Sequence, residues 1–457
     1  QIRHKILITM TGKICSLFIA VGALLIGLQS VEAAYCNGSP DPGERTNPYP
    51  IFEDELRHIR SVKNAMLFEA GPANATFPVV HLWGTPYEVG YAQGELIGPV
   101  IKDFVYKTWA YLSTEMLEEL DNLDIPEIAK RMIVQKGLDR ALDWTRDTTA
   151  AFTPQAYFDE VRGLADSTGI DYDLLYRVQM FPELTKAHCS FFGAWNHSVA
   201  KSDHSYQLRA LDFDTTGPFK DFPQVTIYHP SEGHAYAQVG WPGNVGTLSG
   251  FSDQQLAISE IGVTYPDDSF GQGTDNTPPE KVHGEPWMFV LRDVLQFSDS
   301  LESGIQRITD ANRTCNLIIG LGDGQENMVN GIEYSGYVAL PYNDENLQPV
   351  NETWHPKIDD VVYNGMDWLC PNYDTVLAQQ LLKYHGSISE VNTIENILPT
   401  VQTGDLHAVV YDLTESLMHV SFCRRASADE SEPHYAYERQ FTRLHMKDIF
   451  AQEAPVV

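Results

Sequence analysis

Positive charge is scarce in this chain. Its 457 residues include 31 Lys and Arg against 62 Asp and Glu, a formal net charge of -31. A field of that sign repels a polyanion, so nucleic acid is excluded as a partner. The acidity suits a secreted or lysosomal protein, and equally a calcium-rich matrix. Cysteine is scarce too: there are six, and no spacing among them matches a zinc motif, so no metal site is expected. The longest apolar run, Ile14 to Leu28, has 15 residues. That falls short of the roughly 20 needed to span a bilayer, so no stable membrane span is expected. Internal repeats and low-complexity linkers are missing. The composition is 43% hydrophobic and 11% aromatic, ample for a large core.

The apolar run follows Lys13 and precedes Val31-Glu32-Ala33, with small residues at the two positions a signal peptidase reads. Residues 1–34 are therefore expected to be a signal peptide, with Met10 as its start. Five glycosylation sequons agree with secretion, at Asn37, Asn74, Asn196, Asn312 and Asn351. Cys15 leaves with the signal, and Cys36, Cys189, Cys315, Cys370 and Cys423 remain. That number is odd, so an oxidising compartment leaves one thiol over. If Cys189 is that thiol, Cys36, Cys315, Cys370 and Cys423 are disulfide candidates, and sequence does not choose among the pairings.

From residue 35 the chain begins rich in loops. A strand is expected at Phe77–Trp83, and then a helix with Thr85 as cap and Pro86 in its first position, running to Leu120. Gly90 and Gly94 lie four apart, which suggests close packing against another element. Further helices fit Ile125–Thr148 and Pro154–Thr168, so this part reads as mainly helical up to Phe181-Pro182. The texture then changes. Strands are expected at Tyr206–Asp214, Gln224–His229, Ala235–Val239, Leu256–Gly262, Cys315–Ile319, Met328–Tyr334 and Tyr337–Leu340. Helices fit Pro286–Phe297, Ser300–Thr309, Tyr373–Tyr384 and Ile388–Leu398, and a hairpin fits His407–Leu413 with Leu417–Cys423. The sum is one α+β domain: two sheets covered by helices, with an N-terminal helical part packed onto it.

Cys189 opens a short apolar run, Cys189-Ser190-Phe191-Phe192-Gly193, followed by a turn and a second strand-like run. By itself such a cysteine reads as buried or disulfide-bonded. A wider pattern gives it another meaning. Gly84-Thr85-Pro86-Tyr87-Glu88-Val89-Gly90-Tyr91-Ala92-Gln93-Gly94 resembles the opening motif of the penicillin acyltransferase family, cysteine N-terminal-nucleophile (Ntn) hydrolases that cut themselves. Gly240-Trp241-Pro242-Gly243, Gly250-Phe251, Gly331-Ile332-Glu333-Tyr334 and Val362-Tyr363-Asn364 fall in the family's order. The resemblance runs from about residue 79 to 423. It implies a four-layer αββα sandwich and a cut at the His188–Cys189 bond. Residues 35–188 would form a light subunit and 189–457 a heavy one, the two remaining associated.

The resemblance also implies site residues. Cys189 would be the nucleophile, with its own freed α-amine as base, because a thiol with a pKa near 8.5 is only partly ionised at neutral pH. Asp212 would orient that amine or the thiol. Arg209, in Arg209-Ala210-Leu211-Asp212, matches an Arg-x-x-Asp pair of bile-salt hydrolases and acid-ceramidase-like amidases; alternatively it is a structural ion pair with Asp203, Asp214 or another carboxylate. Asn364 would donate to the oxyanion; alternatively it is a turn residue before Gly365. Where many relatives carry an asparagine after the Gly-Phe turn, this chain has Ser259 and Glu260, and a late arginine has no match before Gly404-Asp405. The expected function is a secreted or lysosomal amidohydrolase or acyltransferase acting on a linear amide or N-acyl conjugate, with no cofactor. Two alternatives stand beside it: an acidic extracellular or biomineral matrix protein on the same scaffold, and, below that, a phospholipase B-like hydrolase.

Overall fold

The computed structural model describes residues 43–118, 127–185, 187–263, 281–347, 354–365, 371–425 and 433–456. The expected signal peptide, Cys36, Cys370, Asn37 and Asn351 lie outside them, as does the His188 side chain.

Two sheets make the core. The first has ten strands in the order β1 (Arg57–Val62), β2 (Ala65–Ala70), β3 (Phe77–Gly84), β6 (Gln224–Pro230), β7 (Tyr236–Gly240), β8 (Ser249–Ser252), β9 (Leu256–Gly262), β10 (Asn316–Asp323), β11 (Met328–Ser335) and β12 (Ala339–Tyr342). The second has six, in the order β13 (Val361–Asn364), β4 (His188–Trp195), β5 (Ser205–Asp212), β14 (His407–Asp412), β15 (Leu417–Phe422) and β16 (Thr442–His445). The sheets meet face to face through β4 and β5 against β9, β10 and β11. Contact there is close because glycine removes side chains. A Cβ on Gly193 would stand 2.3 Å from Val329, and one on Gly320 would stand 2.6 Å from Phe191. Buried polar groups cross the same gap: Gln207 Nε2 donates to Ser259 Oγ at 2.8 Å.

Helices form the outer layers. On the ten-stranded side lie α1 (Pro86–Glu118), which rests on β1–β3, and α2 (Glu127–Lys136), α3 (Leu138–Thr149), α4 (Gln155–Thr168) and α5 (Tyr172–Leu184) packed in series with it. On the same side, α6 (Trp287–Phe297) rests on β8 and β9, and α7 (Leu301–Asp310) on β10 and β12. On the six-stranded side, α8 (Pro371–Tyr384) packs on a helical segment, residues 390–401, that reaches β14. This is the expected αββα layering. Among the described residues, no helix is long and apolar enough to cross a membrane.

Local departures have local causes. The expected Ile125–Thr148 helix is two helices, because Gly137 sits at φ 95° between them. The expected Ile388–Leu398 helix is a short turn, a π-turn at Thr393–Ile397 and a final turn at Leu398–Val401. Helix α1 kinks at Ile97, two residues before Pro99, whose ring cannot sit against an unbroken preceding turn. The N-terminal part is not only helical: residues 57–84 supply three strands, and β3 runs parallel to β6 within the large sheet. Short, partly exposed β1 carries no clean alternation, which hid it in the sequence.

The expected disulfides are corrected at two positions. Cys189, Cys315 and Cys423 are buried and none is in a disulfide. Cys315 sits on Glu183, its sulfur 3.5 Å from Oε2, and burial pushes the Cys423 thiol up to about 12. Core packing, not cross-linking, accounts for both. Asn74, Asn196 and Asn312 are exposed.

Gly90 and Gly94 pack as expected. A Cβ on Gly90 would stand 2.0 Å from the Glu160 carbonyl oxygen on α4, and one on Gly163 of α4 would stand 2.2 Å from the Tyr87 carbonyl oxygen. Backbone cannot yield as a side chain can. Gly90→Ala is expected to lower stability by about 1–3 kcal/mol in urea denaturation. Gly98→Ala, whose added carbon meets only Thr168 at 3.8 Å, is expected to stay within about 1 kcal/mol.

Candidate active site

Cys189 lies at the start of β4, the second strand of the six-stranded sheet, paired with Leu211 of β5. Side chains alternate along a strand, so Cys189, Phe191 and Gly193 face the other sheet. The ladder puts Arg209 opposite Phe191 and therefore on the same face. The Arg209 guanidinium shares that face with the Cys189 thiol, and its charge favours the thiolate. It also donates to Glu260 Oε2 at 3.2 Å and to the Ala210 carbonyl at 2.8 Å. Glu260 comes from β9, so the ion pair joins the two sheets directly under the cysteine. Arg209 is 0% exposed and Glu260 2% exposed, which removes water as a competitor.

Burial dominates the thiol. It pushes Cys189 up to about 12, with Arg209 opposing and Glu260 and Asp212 adding to the rise. In the intact chain burial therefore favours the neutral thiol. The histidine two strands away is no base for it. His407 is held well below its usual range by burial and by Arg209, and its Nε2 is engaged by Ser249 Oγ at 2.9 Å.

Asp212 ends β5 opposite His188, one rung beyond Cys189 and on the other face of the sheet. It shares that face with Ser190. Its carboxylate accepts from Thr403 Oγ1 at 2.6 Å and from the backbone N–H groups of Gly404 and Asp405 at 2.7 and 3.0 Å. Burial still raises it to about 6, against those three hydrogen bonds. Asp405 is carried up to about 8 by burial and by the Asp212 charge. Asn364 ends β13 opposite Phe191, and Tyr342 donates to its Oδ1 at 2.5 Å. That bond orients the amide and leaves Nδ2 as its donor.

An apolar cleft opens beside the His188–Cys189 bond. Its wall includes Thr185 and Ala187 just before the bond, Leu211 of the strand opposite Cys189, and Glu260. The wall also includes Phe104, Val105 and Thr108 of α1, Val178, Gln179, Phe181 and Pro182 of α5, and Phe213, Phe219, Trp241 and Trp287. The Trp241-Pro242-Gly243 turn is pinned to α5 by Gln179, which donates to the Gly243 carbonyl at 3.0 Å and accepts from Val245 N–H at 2.8 Å. Among the described residues, no group of three His, Cys, Asp or Glu could hold a metal.

No protein-family model matches the chain. Protein dcd1A of Dictyostelium discoideum is 34% identical over 435 residues, spanning 91% of this chain and 95% of that protein. Protein dcd1B of the same organism is 32% identical over 424 residues, spanning 89% and 82%. The chain belongs to the dcd1 family. Among solved structures, penicillin V acylase from Agrobacterium tumefaciens aligns with 56% of this dcd1-family chain and 94% of its own, at 10% identity and a TM-score of 0.36. The Caenorhabditis elegans ortholog of N-acylethanolamine-hydrolyzing acid amidase aligns with 55% and 98%, at 12% identity and a TM-score of 0.34.

Thus Cys189, Arg209 and Asp212 gather at one sheet end, with Asn364 two positions along the adjoining strand. Two parts of the dcd1-family site escape sequence reasoning. Glu260 is the ion-pair partner of Arg209, another carboxylate than Asp203 or Asp214; the sequence marks it only as standing, with Ser259, where relatives carry an asparagine, and not as a partner of Arg209. The Thr403-Gly404-Asp405 turn gave no signal at all, because its contacts to Asp212 cross 191 to 193 positions of chain.

Removing one member of the Arg209–Glu260 pair leaves a buried charge alone. Glu260→Ala is expected to cost about 3–5 kcal/mol in urea denaturation. Replacing both residues with apolar side chains is expected to cost less than Glu260→Ala does.

Proposed function

We propose that this protein is a secreted or lysosomal, self-processing cysteine hydrolase or acyltransferase that acts on a linear amide, an N-acyl conjugate, through a thioester at Cys189. The observation that carries the reading is a buried thiol on the same strand face as a buried arginine, at a strand start, with an apolar cleft lined by the residues just before it. The match to the penicillin acyltransferase motifs supports the same reading.

Self-cleavage follows from that placement. The Cys189 sulfur adds to the His188 carbonyl carbon, the C–N bond breaks, and the thiol proton goes to the departing nitrogen. Water then hydrolyses the thioester, leaving a His188 carboxylate and a Cys189 with free thiol and free amine. That amine, ordinarily near pKa 8, supplies the base the intact site lacks. In turnover it takes the thiol proton, the sulfur attacks the substrate carbonyl, and the proton passes to the leaving amine. Water, or an acceptor amine, resolves the acyl-enzyme. Asn364 Nδ2 donates to the oxyanion, a contribution of about 3 kcal/mol for one such preorganised donor. Arg209 stabilises the thiolate, and Asp212 holds the new ammonium. The apolar cleft takes the acyl chain.

The two fragments stay together on this account. Strands β1–β3 precede the cut, yet β3 is hydrogen-bonded to β6 after it. The Glu160–Arg292 ion pair of 2.7 Å joins α4 to α6, and Tyr157 donates to Asp293. Separation would expose a sheet interior. The net charge of -31 favours a second reading, an acidic matrix protein that binds calcium without turnover.

A reducing gel with N-terminal sequencing, run beside Cys189→Ala, separates the two. Two fragments, the larger beginning at Cys189, with the variant uncut, are the expected result. A single intact wild-type chain that binds calcium in bulk overturns the hydrolase reading.

A further inference from the structure

The turn before β14 directs three donors at one carboxylate. Thr403 Oγ1 reaches Asp212 Oδ2 at 2.6 Å, and the next two backbone N–H groups reach Oδ1. The turn's shape is unusual. Gln402 lies at φ 58° and Gly404 at φ 90°, so left-handed residues flank Thr403 on both sides. A non-glycine residue in that region costs on the order of 1 kcal/mol and persists only where surrounding contacts hold it. Such a backbone points successive N–H groups at one place. A Cβ on Gly404 would meet the Ala408 Cβ at 3.0 Å.

Thr403 has a second contact. Its hydroxyl oxygen lies 2.8 Å from Ser190 Oγ, and both residues are 0% exposed. A hydroxyl carries one hydrogen, and the carboxylate is the stronger acceptor. Ser190 therefore donates to Thr403, and Thr403 donates to Asp212. The relay starts on the residue that follows the nucleophile.

Its position matters once the chain is cut. In the intact protein Asp212 is paired with His188 across the β4–β5 ladder. Cleavage puts His188 in the other fragment and removes that rung. Ser190, Thr403 and Asp212 all lie after the cut. We propose that Thr403 is a positioning residue: it latches Asp212 to Ser190, so that the carboxylate and the new amine of Cys189 stay in register when His188 departs. The inference rests on the self-processing reading above.

The titratable and charged groups that act on Asp212 are Asp405 in the turn and Tyr373 on α8, with Glu438 beyond Asp405, and, across the sheet plane, Cys189 on β4 and Arg209 on β5. Burial already raises Asp212, and the Thr403 hydroxyl lowers it. Losing that hydroxyl raises it further, so the carboxylate ionises at higher pH.

The test uses full-length secreted protein as wild type, Thr403→Val, Thr403→Ser and Ser190→Ala. Processing is read by gel, stability by urea midpoint, and the rate of Cys189 alkylation by iodoacetamide from pH 4 to 9. In processed Thr403→Val, the low-pH limb of the alkylation profile is expected to move up by about one pH unit, the size of one hydrogen bond to a charged group. Thr403→Ser is expected to keep the wild-type limb, and Ser190→Ala to move it in the same direction by less. A Thr403→Val protein that is cut and gives the wild-type profile overturns the latch alone. If Thr403→Val does not fold, Ser190→Ala decides: a wild-type profile there overturns the proposal. An uncut wild type instead sinks the processing reading, and the latch with it.

Discussion

The Arg209–Glu260 pair is the constraint on which the rest of the site depends. It is one buried cation and one buried carboxylate, on facing strands of the two sheets. Neither charge would be tolerated there alone. The pair fixes β5 against β9, and through the ladder it fixes β4, the strand that carries Cys189. It also sets the electrostatics of the thiol. Burial drives the thiol strongly toward its neutral form, and the guanidinium is the group that opposes this. On the self-processing reading, a thiol that burial keeps neutral in the intact chain gains an adjacent base with the cut.

Two faces of one sheet divide the work. The inter-sheet face holds the thiol, the guanidinium and the Asn364 amide. The helix-side face holds Asp212, Ser190 and the Thr403 turn. The backbone nitrogen of Cys189 lies in the plane between them. An amine freed at that point can answer to both faces, which a side chain on either face cannot. The cleft belongs to the inter-sheet side, and its walls come from α1 and α5 as well as from the sheets. The N-terminal part thus completes the cavity as well as three strands of the large sheet.

Legibility in the sequence followed periodicity and local punctuation. Strands β9 and β11 and helix α6 were visible because apolar runs of their length, bounded by turns, have few alternatives. The Thr85–Pro86 start of α1 was visible from its capping chemistry, and the Glu88 carboxylate indeed accepts from Thr85 N–H and Oγ1. Gly90 and Gly94 announced a close approach without naming its partner. The 390–401 segment reads as a helix by pattern, yet it is broken by a π-turn that packing imposes. Cys315 and Cys423 read as disulfide halves by arithmetic, yet each is a buried thiol in a core that already fills its site.

The sequence by itself determined the α+β class, the position of Cys189 at the start of a strand, and the order in which the Cys, Arg, Asp and Asn candidates occur. Those depend on residue type and on contacts within a few positions of chain. Tertiary structure alone decided which carboxylate faces Arg209, which turn holds Asp212, and that a cleft lies beside the His188–Cys189 bond. Each of these joins residues dozens to nearly two hundred positions apart. The register of two facing sheets creates such contacts, and no local pattern encodes that register.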